Sequence, residues 1–177
     1  PVLAAEPAPR RVDYPPFSVP SPDGQYLAIW SDDDLVVRHV ATGAVRKLTA
    51  HTDKESACEF AWSRDSRQLA YEWCHETGPG QKDLHELRVI GVDGTGARVL
   101  RSKTEDDIVP RDWSADGRTI AVAVRKASDD TLHLGVVSAA DSTLRLLKNF
   151  GTATTQLREV VSFTQDGQYL VYSRQKT

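Results

Sequence analysis

The stretch Trp113-Ser114-Ala115-Asp116-Gly117-Arg118-Thr119-Ile120-Ala121 decides the reading of this chain, because its Ser-x-Asp-Gly turn and apolar continuation recur. SPDGQYLA runs from Ser21, SRDSRQLA from Ser63 and TQDGQYLV from Thr164, so the turn aspartates fall at Asp23, Asp65, Asp116 and Asp166. Spacings of 42, 51 and 50 residues with strand-like units mark a propeller-type array. One such unit cannot bury both of its own faces and must stack on its neighbours.

The repeated turn has a local logic. Proline presets the first central φ in Ser21-Pro22-Asp23-Gly24, aspartate suits the second, and glycine takes the left-handed position that closes a three-residue hairpin with a bulge. Ser66 replaces that glycine in the second copy and should strain its turn modestly, since a Cβ disfavours positive φ. The strand after each turn is apolar on both faces: Tyr-Leu-Ala-Ile-Trp from Tyr26 and Thr-Ile-Ala-Val-Ala-Val from Thr119 are examples. Alternation would mean one wet face, whereas continuous apolarity means burial on both.

Strand signals come in fours within each unit, separated by turns such as Thr42-Gly43 and Asp93-Gly94-Thr95-Gly96, and no window shows apolar residues at helical spacing. The expected fold is all-β, with four-stranded antiparallel blades over about 15–50, 57–102 and 108–149 and a partial fourth over 158–177. The first strand of each blade is expected innermost. Seven of the nine prolines lie in the first 22 residues, so 1–14 reads as an extended segment. PVLAAEPAP has the composition of the tail of a secretory signal plus its spacer, which favours an exported, periplasmic protein; the competing reading is a cloning boundary or an inter-domain linker.

The pattern W-S-x-D-G-x-x-I-A resembles the WD40-like repeat of TolB-type propellers and of the amino-terminal propellers of dipeptidyl peptidases and prolyl oligopeptidases. Trp62-Ser63, Trp113 to Gly117 and Phe163 to Gly167 carry it, and LVVRHVATGAVRKLT from Leu35 looks like the outer two strands of such a blade. The resemblance covers about Phe17 to Ser173 and implies a fold shared by proteins of many functions. TolB-like propellers usually close with six or more blades, so about three and a half implies a fragment, or completion by another chain. Open end blades would expose apolar faces and strand edges, which favours self-association.

A net charge of -3 with no basic excess argues against a nucleic-acid partner, and no apolar run is long enough to span a membrane. Gly-x-Ser-x-Gly and a phosphate-cradling glycine loop are both missing from the sequence, so the chain reads as non-catalytic, with no cofactor. The loops joining second to third strands and one blade to the next should share one rim, and they hold thirteen of the 25 acids. Asp32, Asp33, Asp34, Asp53, Glu105, Asp106, Asp107, Asp129 and Asp130 are the candidate interaction residues, facing a protein partner. The blander reading is that these loops are acidic for solubility. His75, Glu76, His85 and Glu86 are read as one long loop, too flexible for a metal site.

Two function classes follow, with a third, a carbohydrate-processing propeller, kept open although the inner strands offer no metal-ligand histidines. One is a TolB-like interaction module in an exported protein. The other is part of the substrate-gating propeller of a prolyl-oligopeptidase-type hydrolase. Placing Asp65 in a three-residue loop pairs Ser63 with Arg67 and Cys58 with Glu72, which leaves Cys74 diagonal to Cys58; a bulge of one residue would change the face, and stronger local twist would shorten the gap. Diagonal Cβ atoms lie about 7 Å apart, beyond the roughly 3.5–4.5 Å of a disulfide, so two reduced thiols are expected.

Overall fold

A computed structural model describes residues 18–152 and 161–173 of the chain. The expected extended segment over 1–14 and the start of the expected fourth blade lie outside those residues. Three four-stranded antiparallel sheets follow one another in chain order, and each is a blade. The first holds β1 (Ser18–Pro20), β2 (Tyr26–Ser31), β3 (Asp34–His39) and β4 (Val45–Lys47). The second holds β5 (Glu55–Trp62), β6 (Gln68–His75), β7 (Leu84–Gly91) and β8 (Arg98–Thr104). The third holds β9 (Asp107–Trp113), β10 (Thr119–Arg125), β11 (Thr131–Ser138) and β12 (Leu144–Thr152). A two-stranded sheet of β13 (Val161–Phe163) and β14 (Leu170–Tyr172) opens the fourth. The described residues contain no helix long and apolar enough to cross a membrane.

The repeated turn is self-satisfying. Ser114 Oγ donates to Asp116 Oδ1 at 2.6 Å and accepts the Thr119 N–H at 3.0 Å, while Asp116 Oδ1 also accepts the Arg118 N–H at 3.0 Å. The same three bonds recur around Asp23, Asp65 and Asp166. Gly24, Gly117 and Gly167 take φ near +70° (71, 69 and 69), and Ser66 takes +61° in their place. Its hydroxyl has a use there: Ser66 Oγ accepts the Asp23 N–H at 3.0 Å and ties the second blade to the first.

Blade stacking buries both faces of the central strands. Leu35, Val37, Trp62, Leu69, Trp73 and Ile90 fill the space between the first two blades. Leu87, Ile108, Trp113, Ile120, Val122 and Val137 fill the next. Innermost first strands set the contact, since β9 packs against both β5 and β13. The tryptophan before each turn reaches one blade back: Trp62 Nε1 donates to the Val19 carbonyl at 3.0 Å, and Trp113 Nε1 to that of Ala61 at 3.3 Å. Phe163 has no indole N–H, and its backbone N–H is held instead by Asp112 Oδ2 at 2.7 Å. Arg64 binds Asp112, Ser162 and the Phe163 carbonyl, so one guanidinium joins three units.

The second blade corrects the expected thiols: Cys58 and Cys74 form a disulfide. The turn loop is one residue longer than read, because Trp62 pairs with Leu69 and the Ser63 N–H binds the Gln68 carbonyl. Between Ala57 and Phe60 the register then shifts, so Cys58 and Glu59 together oppose one residue of β6. Such a bulge bends the strand and raises its twist. It brings the diagonal cysteines to a Cα separation of 6.2 Å, inside the range a disulfide bridges.

Candidate functional site

Hairpin topology places the 31–34, 76–83 and 126–130 connections, and the inter-blade links 48–54 and 105–106, at the end of the described residues opposite the repeated turns. The nine candidate acids separate into two groups there. Asp32 and Asp33 form the tip of the β2–β3 hairpin with φ of +49° and +63°, the left-handed pair that a two-residue turn requires. Both are exposed, as are Asp53 and Glu105 on the inter-blade links. The Asp33 carbonyl accepts the Ala57 N–H at 2.9 Å, which pins this tip to the start of the second blade.

The remaining candidates are occupied in holding loops. Asp106 receives Lys126 Nζ at 2.5 Å and the Ala127 N–H at 3.0 Å. Asp129 accepts the Thr131 N–H and hydroxyl, and Asp130 pairs with Arg125 at 2.5 Å. Asp107 is half-buried at the start of β9. Asp34 lies inside, at 1% exposure, and is not on the rim surface. Thr49 Oγ1 and the His51 N–H donate to its Oδ1 at 2.8 Å each, with His51 Nδ1 and Lys47 on Oδ2.

Burial pushes the Asp34 carboxyl up, but its bonds from Lys47, His51 and Thr49 outweigh that and hold it below its ordinary value of 3.8. A carboxylate depressed in the folded state stabilises fully above its unfolded pKa and loses that contribution as pH falls through the folded value. Asp34→Ala is therefore expected to cost about 2–3 kcal/mol at pH 7. In urea titrations the gap between the two proteins should narrow steadily below about pH 4. A gap that persists unchanged at pH 3 contradicts this.

The four residues read as one loop do not share one. His75 ends β6, while His85 and Glu86 belong to β7, so only 76–83 connects them. Strand alternation then sends their side chains to opposite faces of the second blade. Toward the first blade, His75 Nδ1 contacts Glu55 Oε1 at 2.7 Å, and Glu86 binds Arg88, whose guanidinium lies 4.8 Å over the Trp73 ring. The His75 bond holds the Glu55 carboxyl below its ordinary value.

Toward the third blade, Glu72 lies at 3% exposure with its Oε1 2.9 Å from His85 Nδ1. Asp107 on β9 completes a group whose ligand-type atoms all lie within 4.8 Å of one another. Burial pushes the Glu72 carboxyl up to about 7, against the pull of His85, and Asp107 adds to the rise. Burial draws the His85 imidazole down, but its contact with Glu72 outweighs this and raises it. Glu72 was missed in the sequence. Its one signal there is a carboxylate inside the apolar run Ala70-Tyr71-Glu72-Trp73.

Stacked four-stranded blades with innermost first strands give the chain the fold of a β-propeller segment, as found in TolB and dipeptidyl peptidase structures. No protein-family model matches the sequence, and a search of curated proteins finds no match. Solved structures do match in fold. A TolB-assigned protein from Agrobacterium tumefaciens superposes with a TM-score of 0.64 at 15% identity, over 88% of this chain and 52% of that one. Dipeptidyl peptidase 4 from Porphyromonas gingivalis gives 0.62 at 12% identity, over 81% of this chain and 26% of that one. TolB from Acinetobacter baumannii gives 0.59 at 10% identity, over 89% and 37%. The chain thus spans about half of the first of these proteins, and less of the other two.

Proposed function

We propose that this chain is a non-catalytic recognition module of an exported protein, which binds a cationic protein surface through its acidic end. The observation that carries the reading is the group Asp32, Asp33 and Asp53, exposed on neighbouring loops that the Asp33–Ala57 backbone bond ties together. Carboxylates of one sign on fixed loops raise the local field and steer an oppositely charged partner. The Cys58–Cys74 disulfide supports export, because such bonds persist in oxidising compartments. The peptidase reading is favoured by the dipeptidyl peptidase likeness; a hydrolase domain in the parent open reading frame would select it. Tyr169 and Val171 of the fourth unit are exposed at 65% and 58%, an apolar surface suited to cover by a further blade or a second copy.

Titration with an oligolysine peptide at low salt tests the acidic end. Neutralising Asp32, Asp33 and Asp53 to Asn and Glu105 to Gln is expected to remove most of the affinity. Neutralising Asp93, Asp116, Asp141 and Asp166 to Asn at the opposite end should leave it nearly unchanged, since each amide oxygen can keep its turn bond. Equal losses in the two variants would reduce the acidic end to general solvation.

A further inference from the structure

The cluster between the second and third blades brings three ligand-type atoms together around a buried carboxylate. Glu72 Oε1 receives no hydrogen bond among the described residues, although it is buried and lies 2.9 Å from His85 Nδ1. A hydrogen bond of that length would be aligned along the ring N–H; this one is not. A separation of 2.9 Å also suits two ligand atoms on one edge of a zinc coordination shell, where zinc–oxygen and zinc–nitrogen distances of about 2.0–2.2 Å give an edge of about 3 Å.

Burial points the same way. Glu72 is the buried carboxylate of this group, and a carboxylate taken out of water is costly unless it is paired or ligates a metal. His85 and Asp107 also line a cleft of about 540 Å³, with Glu105 and Asp83 and the cations Lys82, Arg125 and Lys126, which gives an ion a path from solvent. Asp107 is half-buried at the first position of β9, with its carboxylate within 4.8 Å of the Glu72 and His85 ligand atoms. Cys74 Sγ lies 3.7 Å from His85 Nδ1 but is held in the disulfide, so it offers no thiolate.

We propose that Glu72, His85 and Asp107 form a binding site for a zinc-class divalent cation, clamping the second blade to the third. Imidazole nitrogen and carboxylate oxygen are donors that zinc accepts, and three protein ligands with one open position is an established coordination pattern for it.

The test uses the full chain, purified without reductant and stripped with a chelator, titrated calorimetrically with zinc alone. One zinc per chain is expected, with a rise in thermal stability. His85→Gln and Asp107→Asn should each lose the binding, while His75→Gln, on the other face of the blade, keeps it. Circular dichroism establishes that each variant is folded; should His85→Gln unfold, Glu72→Gln replaces it. Cobalt in place of zinc should give weak visible bands without thiolate charge transfer. The site is overturned by an absence of zinc binding to the folded wild-type chain, or by binding that His85→Gln leaves intact. It is equally overturned by binding that appears only after reduction with intense cobalt–thiolate absorption, which would place the ion on Cys58 and Cys74.

Discussion

Trp113→Ala is expected to lower the stability of the chain by about 3–5 kcal/mol, the largest loss from a single truncation in this fold. Trp113 is 2% exposed and fills the space between the second and third blades with Ile108, Ile120 and Leu87. Its Nε1 also carries the bond to the Ala61 carbonyl, so truncation removes the packing and leaves a buried acceptor unpaired. Trp113→Phe keeps most of the volume and loses only the bond, as in the fourth unit, where Phe163 stands in the same place. It should therefore cost about 1–2 kcal/mol. Urea denaturation followed by circular dichroism measures both. A loss under about 1 kcal/mol for the alanine variant would mean that the blades do not share this core.

Opening the disulfide is expected to cost about 3 kcal/mol, because the two cysteines are 16 positions apart and the bridge restricts a loop of that length in the unfolded chain. Paired denaturation curves with and without a dithiol reductant report the difference. Cys58→Ser with Cys74→Ser should reproduce the reduced curve. Thiol titration of the denatured, unreduced protein should find no reactive group. Two reactive groups would contradict the bulged register of β5 on β6.

The fold was legible because its repeat is satisfied locally. The turn around Asp116 needs only Ser114, Gly117 and the next two backbone amides, so sequence spacing alone reveals it four times. Ser66 was legible for the same reason, as the residue that had to take a positive φ in place of glycine. The bulge at Cys58 and Glu59 was not, since it is set by how β5 lies on β6 and on the blades to either side. One misplaced residue in the turn loop was enough to shift the register expected for the cysteines.

The site was legible in part. The loops that share the acidic end follow from strand direction, and Asp32, Asp33 and Asp53 are exposed as their sequence context suggests. Asp34 looks identical to its neighbours in sequence. It is buried because Thr49 and His51, on the link to the next blade, supply its hydrogen bonds. The Glu72–His85–Asp107 group combines residues from three strands and two blades, so no local motif announces it. Reading 75–86 as a single loop hid the alternation that separates His75 from His85.

The account rests on repeat units that stack side by side through their first strands, with Arg64 at the junction of three of them. Arg64 and Ser162 are 98 positions apart in sequence, yet their side chains meet at 3.2 Å. Spin labels on Arg64→Cys and Ser162→Cys, in a chain whose native cysteines remain bridged, report that approach directly. The account predicts strong dipolar broadening in the native protein that disappears in urea. Two native labels with no measurable coupling would contradict it.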